Sequence, residues 1–191
     1  MILPIVAYGT PVLKQKAKPV ELNDELRRFI DDMFETMYRA EGVGLAAPQV
    51  DRSIRLFVID PAPFARWEEL DQQERKQLRK AKMAFINPQL VEESGDEWTF
   101  EEGCLSIPGI NEKVKRPKRI TLRYTDIEGN EHTETFDGLL ARVIQHEYDH
   151  IEGILFTDRL SPLKRKLLAK KLDKISKGQV QVSYKMKFPK R

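Results

Sequence analysis

Gln145-His146-Glu147-Tyr148-Asp149-His150 holds two of the chain's three histidines, four residues apart, with a glutamate directly after the first. In a helix, positions i and i+4 share one face about one turn apart, so both imidazoles reach a single metal ion. Glu147 lies about 100° further round, close to anything bound on that ion. This is the H-E-x-x-H arrangement, two nitrogen ligands with a carboxylate placed as general base. Alone it does not decide, because an exposed helix face carrying histidines by chance reads the same way.

The helix that carries the motif is predicted from Gly138 to His150, with Leu139, Leu140, Val143 and Ile144 on its apolar face. Upstream, Arg119–Thr125 alternates apolar and polar residues, Glu128-Gly129-Asn130 is a turn, and Glu131–Phe136 pairs back as a hairpin. Downstream, Ser161 and Pro162 supply N-cap and first helical residue for a helix to about Lys177. Val180–Tyr184 reads as a short strand or an ordered tail. Near the start, Asn23 caps a helix whose Leu26, Phe29, Ile30, Met33 and Met37 form a core stripe, stopping near Gly42.

Ile54–Asp60 and Met83–Val91 read as strands, with Ser94-Gly95-Asp96 as a turn. Residues 67–82 are charged in both signs and read as a solvated helical excursion. Hairpins dominate and helices are few. The expected class is α+β, with antiparallel sheets around the central metal-binding helix and one helix at each end.

A length of 191 residues fits a single domain over 1–191, and 40% hydrophobic content supports a sizeable core. The net charge of +3 demands no nucleic acid by itself. The basic excess is concentrated at 161–191, where Asp173 is the only acid, so this helix and tail form a positive arm. A lone Cys104 precludes an intrachain disulfide and fits a reducing compartment. With no signal segment and no run of membrane-spanning length, a cytoplasmic protein without membrane contact is expected.

A hydrolytic metal site usually takes three protein ligands and leaves a place for water. No histidine follows His150, and His132 sits in the hairpin as a surface strand residue. Cys104 is the better third candidate. A lone cysteine can equally be a small buried hydrophobe, but Gly103 frees the backbone before it, and a turn at a strand edge presents sulfur to a helix.

Gly42-Val43-Gly44-Leu45-Ala46-Ala47-Pro48-Gln49, Glu102-Gly103-Cys104-Leu105-Ser106 and Gln145–His150 together resemble the three signatures of the peptide deformylases, in the family's order and at compatible spacing. The similarity of layout runs from Ile5 to about Gly153. It implies a metal on Cys104, His146 and His150, a catalytic Glu147, and removal of the formyl group from formyl-methionine on newly made polypeptides. It implies ferrous iron as native metal, with nickel, cobalt or zinc as substitutes. Gln49, through its side-chain amide, and Leu105, through its N–H, are implied as oxyanion donors.

Gly44 suits backbone pairing with a peptide. Val43, Phe100, Leu139 and Val143 suit an apolar slot for methionine, although each could equally be core. Gln145 and Asp149 suit orienting roles around the ligands, and Glu102 pairing with an arginine such as Arg116. Relative to shorter members, residues 64–82 look like a charged insertion. The basic C-terminal helix resembles the tail of one deformylase class, implying ribosome docking, and its lysines suit RNA phosphates. Two other readings stand beside this one: an H-E-x-x-H zinc endopeptidase that ignores Cys104, and a ribosome-associated binding module with a structural metal.

Overall fold

The computed structural model describes residues 1–190. The chain opens with strand β1 (Ile5–Val6) and a 3-10 turn at Pro11–Lys14, then enters helix α1 (Asp24–Arg39). Asn23 stays extended and its side-chain oxygen accepts from the Leu26 N–H at 2.8 Å, satisfying a donor the helix cannot. All five residues of the expected stripe are buried, against Leu56 and Val58 among others. Asn23→Ala is expected to lower unfolding free energy by about 1 kcal/mol in urea melts, the usual worth of such a cap.

Strand β2 (Gly44–Ala46) and a 3-10 turn (Ala47–Val50) occupy the glycine-rich stretch, which therefore holds a sheet edge. Strand β3 (Leu56–Ile59) follows, then helix α2 (Gln72–Arg79), which gives the charged segment its expected helical form. Strands β4 (Met83–Cys104) and β5 (Ile107–Thr125) make one long hairpin, and β6 (Glu131–Asp137) pairs back on β5. The five-stranded sheet runs β2-β3-β4-β5-β6, antiparallel throughout.

Ser94-Gly95-Asp96 is not the expected turn. β4 runs through it, since β5 continues opposite: Ser94 faces Arg119 and Glu97 faces Pro117. The local irregularity is a register shift, with Gly95 at φ +82° absorbing the kink. The real reversal falls at Leu105-Ser106, so Cys104 ends a strand at a tight tip.

Helix α3 (Gly138–Ile151) is the centre. From Leu139 to Ile151 every residue is buried except His146 and Tyr148, which are half-buried. Its apolar side meets the five-stranded sheet through Phe57, Phe85 and Ile120. Such enclosure forces its polar side chains to find partners inside the protein. Helix α4 (Pro162–Ser176) starts at the Ser161 cap as expected and buries Leu168, Leu172 and Ile175.

The last strand, β7 (Met186–Lys187), pairs with β1 in parallel. Residues 180–184 form no strand, so of the two readings offered they are the ordered tail, and the strand follows at Met186–Lys187. The five-stranded sheet is antiparallel as expected, and the two-stranded one is parallel. No helix of the described residues is long and apolar enough to cross a membrane.

Candidate metal centre

His146 and His150 project from successive turns of α3, with ring centroids 5.0 Å apart. The β4–β5 tip brings Cys104 to them from 46 residues away, its Sγ 3.4 Å from His150 Nε2. One donor atom from each of Cys104, His146 and His150 lies within 4.8 Å of the other two. Among the described residues this is the only such cluster of metal-binding side chains.

Three further facts bear on whether the trio fits a cation. His146 Nδ1 donates to Glu102 Oε1 at 2.9 Å, which turns Nε2 toward the cluster. Burial holds His150 well below the ordinary imidazole value, hence neutral, as a ligand must be. Burial pulls His146 the same way, but hydrogen bonds to Cys104 and Glu102 carry it well above. The donor set therefore fits a borderline-soft divalent metal, and loading it is expected to release protons, seen as buffer-dependent heat in titration calorimetry.

Glu147 sits beside the trio. Burial pushes its carboxyl up to about 7. Its Oε2 is buried with no partner among the described residues, an acceptor left open for a molecule the site binds. Gly44 presses on the same carboxylate: a Cβ there would stand 2.4 Å from Oε1. Gly44→Ala is accordingly expected to displace Glu147 and lower turnover at least about tenfold while the metal is retained. Metal analysis beside an activity assay checks this.

Gln49 lies in the 3-10 turn after β2. Its Oε1 accepts from the Ala46 N–H at 2.9 Å, so its amide hydrogens point inward, to Ser106 Oγ at 3.2 Å and Cys104 Sγ at 3.4 Å. Leu105 follows the cysteine and lines the same cavity, which measures about 570 Å³.

A buried ionic hub supports these groups. Glu102 accepts from Arg116 Nε at 2.7 Å and Nη2 at 2.9 Å, and from Arg142 Nη1 at 2.9 Å, besides His146. Burial would raise its pKa, but the His146 and Arg116 hydrogen bonds win and hold it far below the carboxylate range. Asp149 accepts from Arg116 Nη1 at 2.8 Å and from Arg159 at 2.5 and 2.7 Å. Gln145 Nε2 donates to Pro117 O at 2.9 Å, tying α3 to β5 rather than touching the candidate donors.

Of the expected methionine slot, Val43, Phe100 and Val143 line the cavity. Leu139 does not; it lies in the core between α3 and the sheet. Phe64, from the charged segment, takes a place in the wall, in edge contact with Phe100 at 6.3 Å and with Trp67 at 5.3 Å. Arg142 and Phe64 escaped the sequence reading, while Ser106 entered it only as the end of the second signature and Tyr184 only as the end of the tail stretch, neither with a role. The one signal for Arg142 is a charge on an otherwise apolar helix side.

The model of the polypeptide deformylase family matches residues 2–166. The chain belongs to the peptide deformylase family. Deformylases are metal-dependent hydrolases that remove N-formyl groups from nascent peptides. The peptide deformylase of Christiangramia forsetii is 60% identical over 190 residues, covering 99% of this chain and 97% of the relative. That of Cytophaga hutchinsonii is 54% identical over 190 residues, covering 99% and 98%. Among solved structures, the deformylase of Ehrlichia chaffeensis superposes with TM-score 0.82 at 36% identity, covering 94% of this chain and 99% of that one. The Legionella pneumophila deformylase does so with TM-score 0.77 at 43% identity, covering 94% and 98%.

Proposed function

We propose that Cys104 Sγ and the Nε2 atoms of His146 and His150 hold a divalent cation, native iron(II), with nickel, cobalt or zinc as substitutes. We further propose that this centre hydrolyses the formamide of formyl-methionine on new polypeptides. The observation that carries the reading is the convergence of those three donors beside a buried carboxylate with an open acceptor. When bound, the cation supplies Lewis acidity that eases water deprotonation and polarises the formyl oxygen.

Glu147 Oε2 takes the proton of the attacking water, and the same carboxyl later returns it to the departing amine. A pKa brought near neutrality by burial suits both directions of transfer. Gln49 Nε2 and the Leu105 N–H face the oxygen where negative charge develops. The Gly44 backbone pairs with the peptide main chain, since β2 is an edge of its sheet. Val43, Phe100 and Val143, with Phe64 added, hold the methionine side chain, and Leu139 supports them from the core. Glu102, Asp149 and Gln145 keep His146 and α3 in place.

On this reading the whole chain acts as one catalytic domain in the cytoplasm. Helix α4 docks on the ribosome through its lysines, with Leu163 and Leu167, 68% and 71% exposed, beside them. The test is anaerobic hydrolysis of formyl-Met-Ala-Ser with metal quantified. Turnover proportional to bound metal supports the assignment, and metal-loaded protein without turnover rejects it. Cys104→Ala is expected to lose the metal and activity together; a variant that keeps its metal favours the endopeptidase reading.

A further inference from the structure

The family match ends at residue 166, yet the chain beyond α4 returns to the active cavity. Gly178, at φ +76°, turns it out of the helix. At the far end the Ile5 N–H donates to Lys185 O and the Ala7 N–H to Lys187 O, both at 2.9 Å, so β1 clamps the tail. Between these anchors Gln181, Val182, Ser183 and Tyr184 line the cavity. Exposure alternates along them: Gln181 and Ser183 are exposed, Val182 and Tyr184 half-buried, the habit of an extended strap with one face inward.

Two details give this strap a purpose beyond covering. The Tyr184 hydroxyl donates to Leu105 O at 2.7 Å, tying the strap to the residue next to Cys104. Among the described residues, the backbone N–H and C=O groups of Gln181, Val182 and Ser183 pair with no other backbone group. Extended backbone with free donors and acceptors along a cavity is the surface to which a peptide main chain adds. The other free edge lining the same cavity is β2, at Gly44.

We infer that the strap Gln181–Tyr184 reads the substrate peptide beyond its formylated methionine, and that Tyr184 is a positioning residue for the Leu105 turn. The inference rests on the deformylase reading above. The first side chain fills the apolar part of the cavity; the following residues run between the β2 edge and the strap. Gln181 lines the cavity with its side chain exposed, within reach of those residues and not engaged in the strap's own packing.

The test uses metal-loaded full-length enzyme with formyl-Met-Ala-Glu and formyl-Met-Ala-Lys. Gln181→Lys is expected to shift the kcat/KM ratio toward the glutamate peptide by about fivefold, and Gln181→Glu toward the lysine peptide by a similar factor, both shifts shrinking with salt. Ratios that stay at the wild-type value in both variants overturn the strap as a reader. Tyr184→Phe is expected to lower kcat about tenfold on both peptides at constant KM and metal content, less than loss of an oxyanion donor itself. A lower melting temperature with kcat intact makes Tyr184 merely structural and overturns its positioning role. Wild type inert on every formyl-peptide sinks the deformylase reading itself, whereas active wild type with unmoved ratios rejects the strap alone.

Discussion

Glu147→Gln is expected to keep its metal and lose turnover of formyl-Met-Ala-Ser by about 10²–10⁴-fold, the usual contribution of a positioned acid–base group. The amide has the shape of the carboxylate, so the contact with Gly44 and the cluster of Cys104, His146 and His150 are expected to persist. What disappears is the ionisable acceptor at Oε2, which is buried without a hydrogen-bond partner among the described residues. Metal analysis alongside steady-state kinetics separates the roles. Full turnover in this variant rejects Glu147 as the base, and loss of metal reassigns it as a ligand.

The same substitution has a stability signature with a definite sign. Burial raises the Glu147 carboxyl from 4.5 to about 7 in the metal-free protein. Below the unfolded value both states are protonated and the shift costs nothing. As pH rises from there towards 7 the unfolded chain ionises first, so wild type loses stability relative to the glutamine variant. Urea melts of metal-free protein are therefore expected to agree near pH 4 and to favour Glu147→Gln at neutral pH. Equal pH slopes for the two proteins contradict the raised carboxyl.

Arg116→Met is expected to lower unfolding free energy by about 3–5 kcal/mol, the cost of leaving buried charges without their partner. The Arg116 and Glu102 side chains are 2% and 4% exposed, and the same guanidinium also reaches Asp149. Without it, Glu102 keeps Arg142 and His146, while Asp149 keeps only Arg159 among its side-chain partners. Because Glu102 orients His146, metal affinity is expected to fall about 10–100-fold as well. Pairing the change with Glu102→Gln removes one stranded charge, so the double variant is expected to lose less than the two singles summed. Strict additivity in denaturant titrations excludes a shared network.

Much of the helical layout was legible because its signals are local. Asn23 before Asp24 and Ser161 before Pro162 mark helix starts by bonds that span three residues, and both caps are present. The stripe from Leu26 to Met37 names its buried face by spacing alone. Sheet connectivity was less legible. Gly95 looks like a turn in a short window, yet β5 continues opposite it, and register between strands is fixed by their partner. Phe64 was hidden for a related reason: charged neighbours around it say nothing about which wall its ring joins.

The sequence alone placed His146, Glu147 and His150 on one turn, because helical geometry converts spacing into direction without help from the rest of the chain. Three segments resembling the deformylase signatures then pointed to the family, which the match over residues 2–166 shows. Tertiary structure decided what the backbone window cannot reach: Cys104 closing on His150 across 46 residues, Arg116 joining Glu102 to Asp149, and the tail returning to line the cavity. Those contacts arise from burial, which gathers charges that must be paired, and from strand register, which sets where a hairpin tip ends.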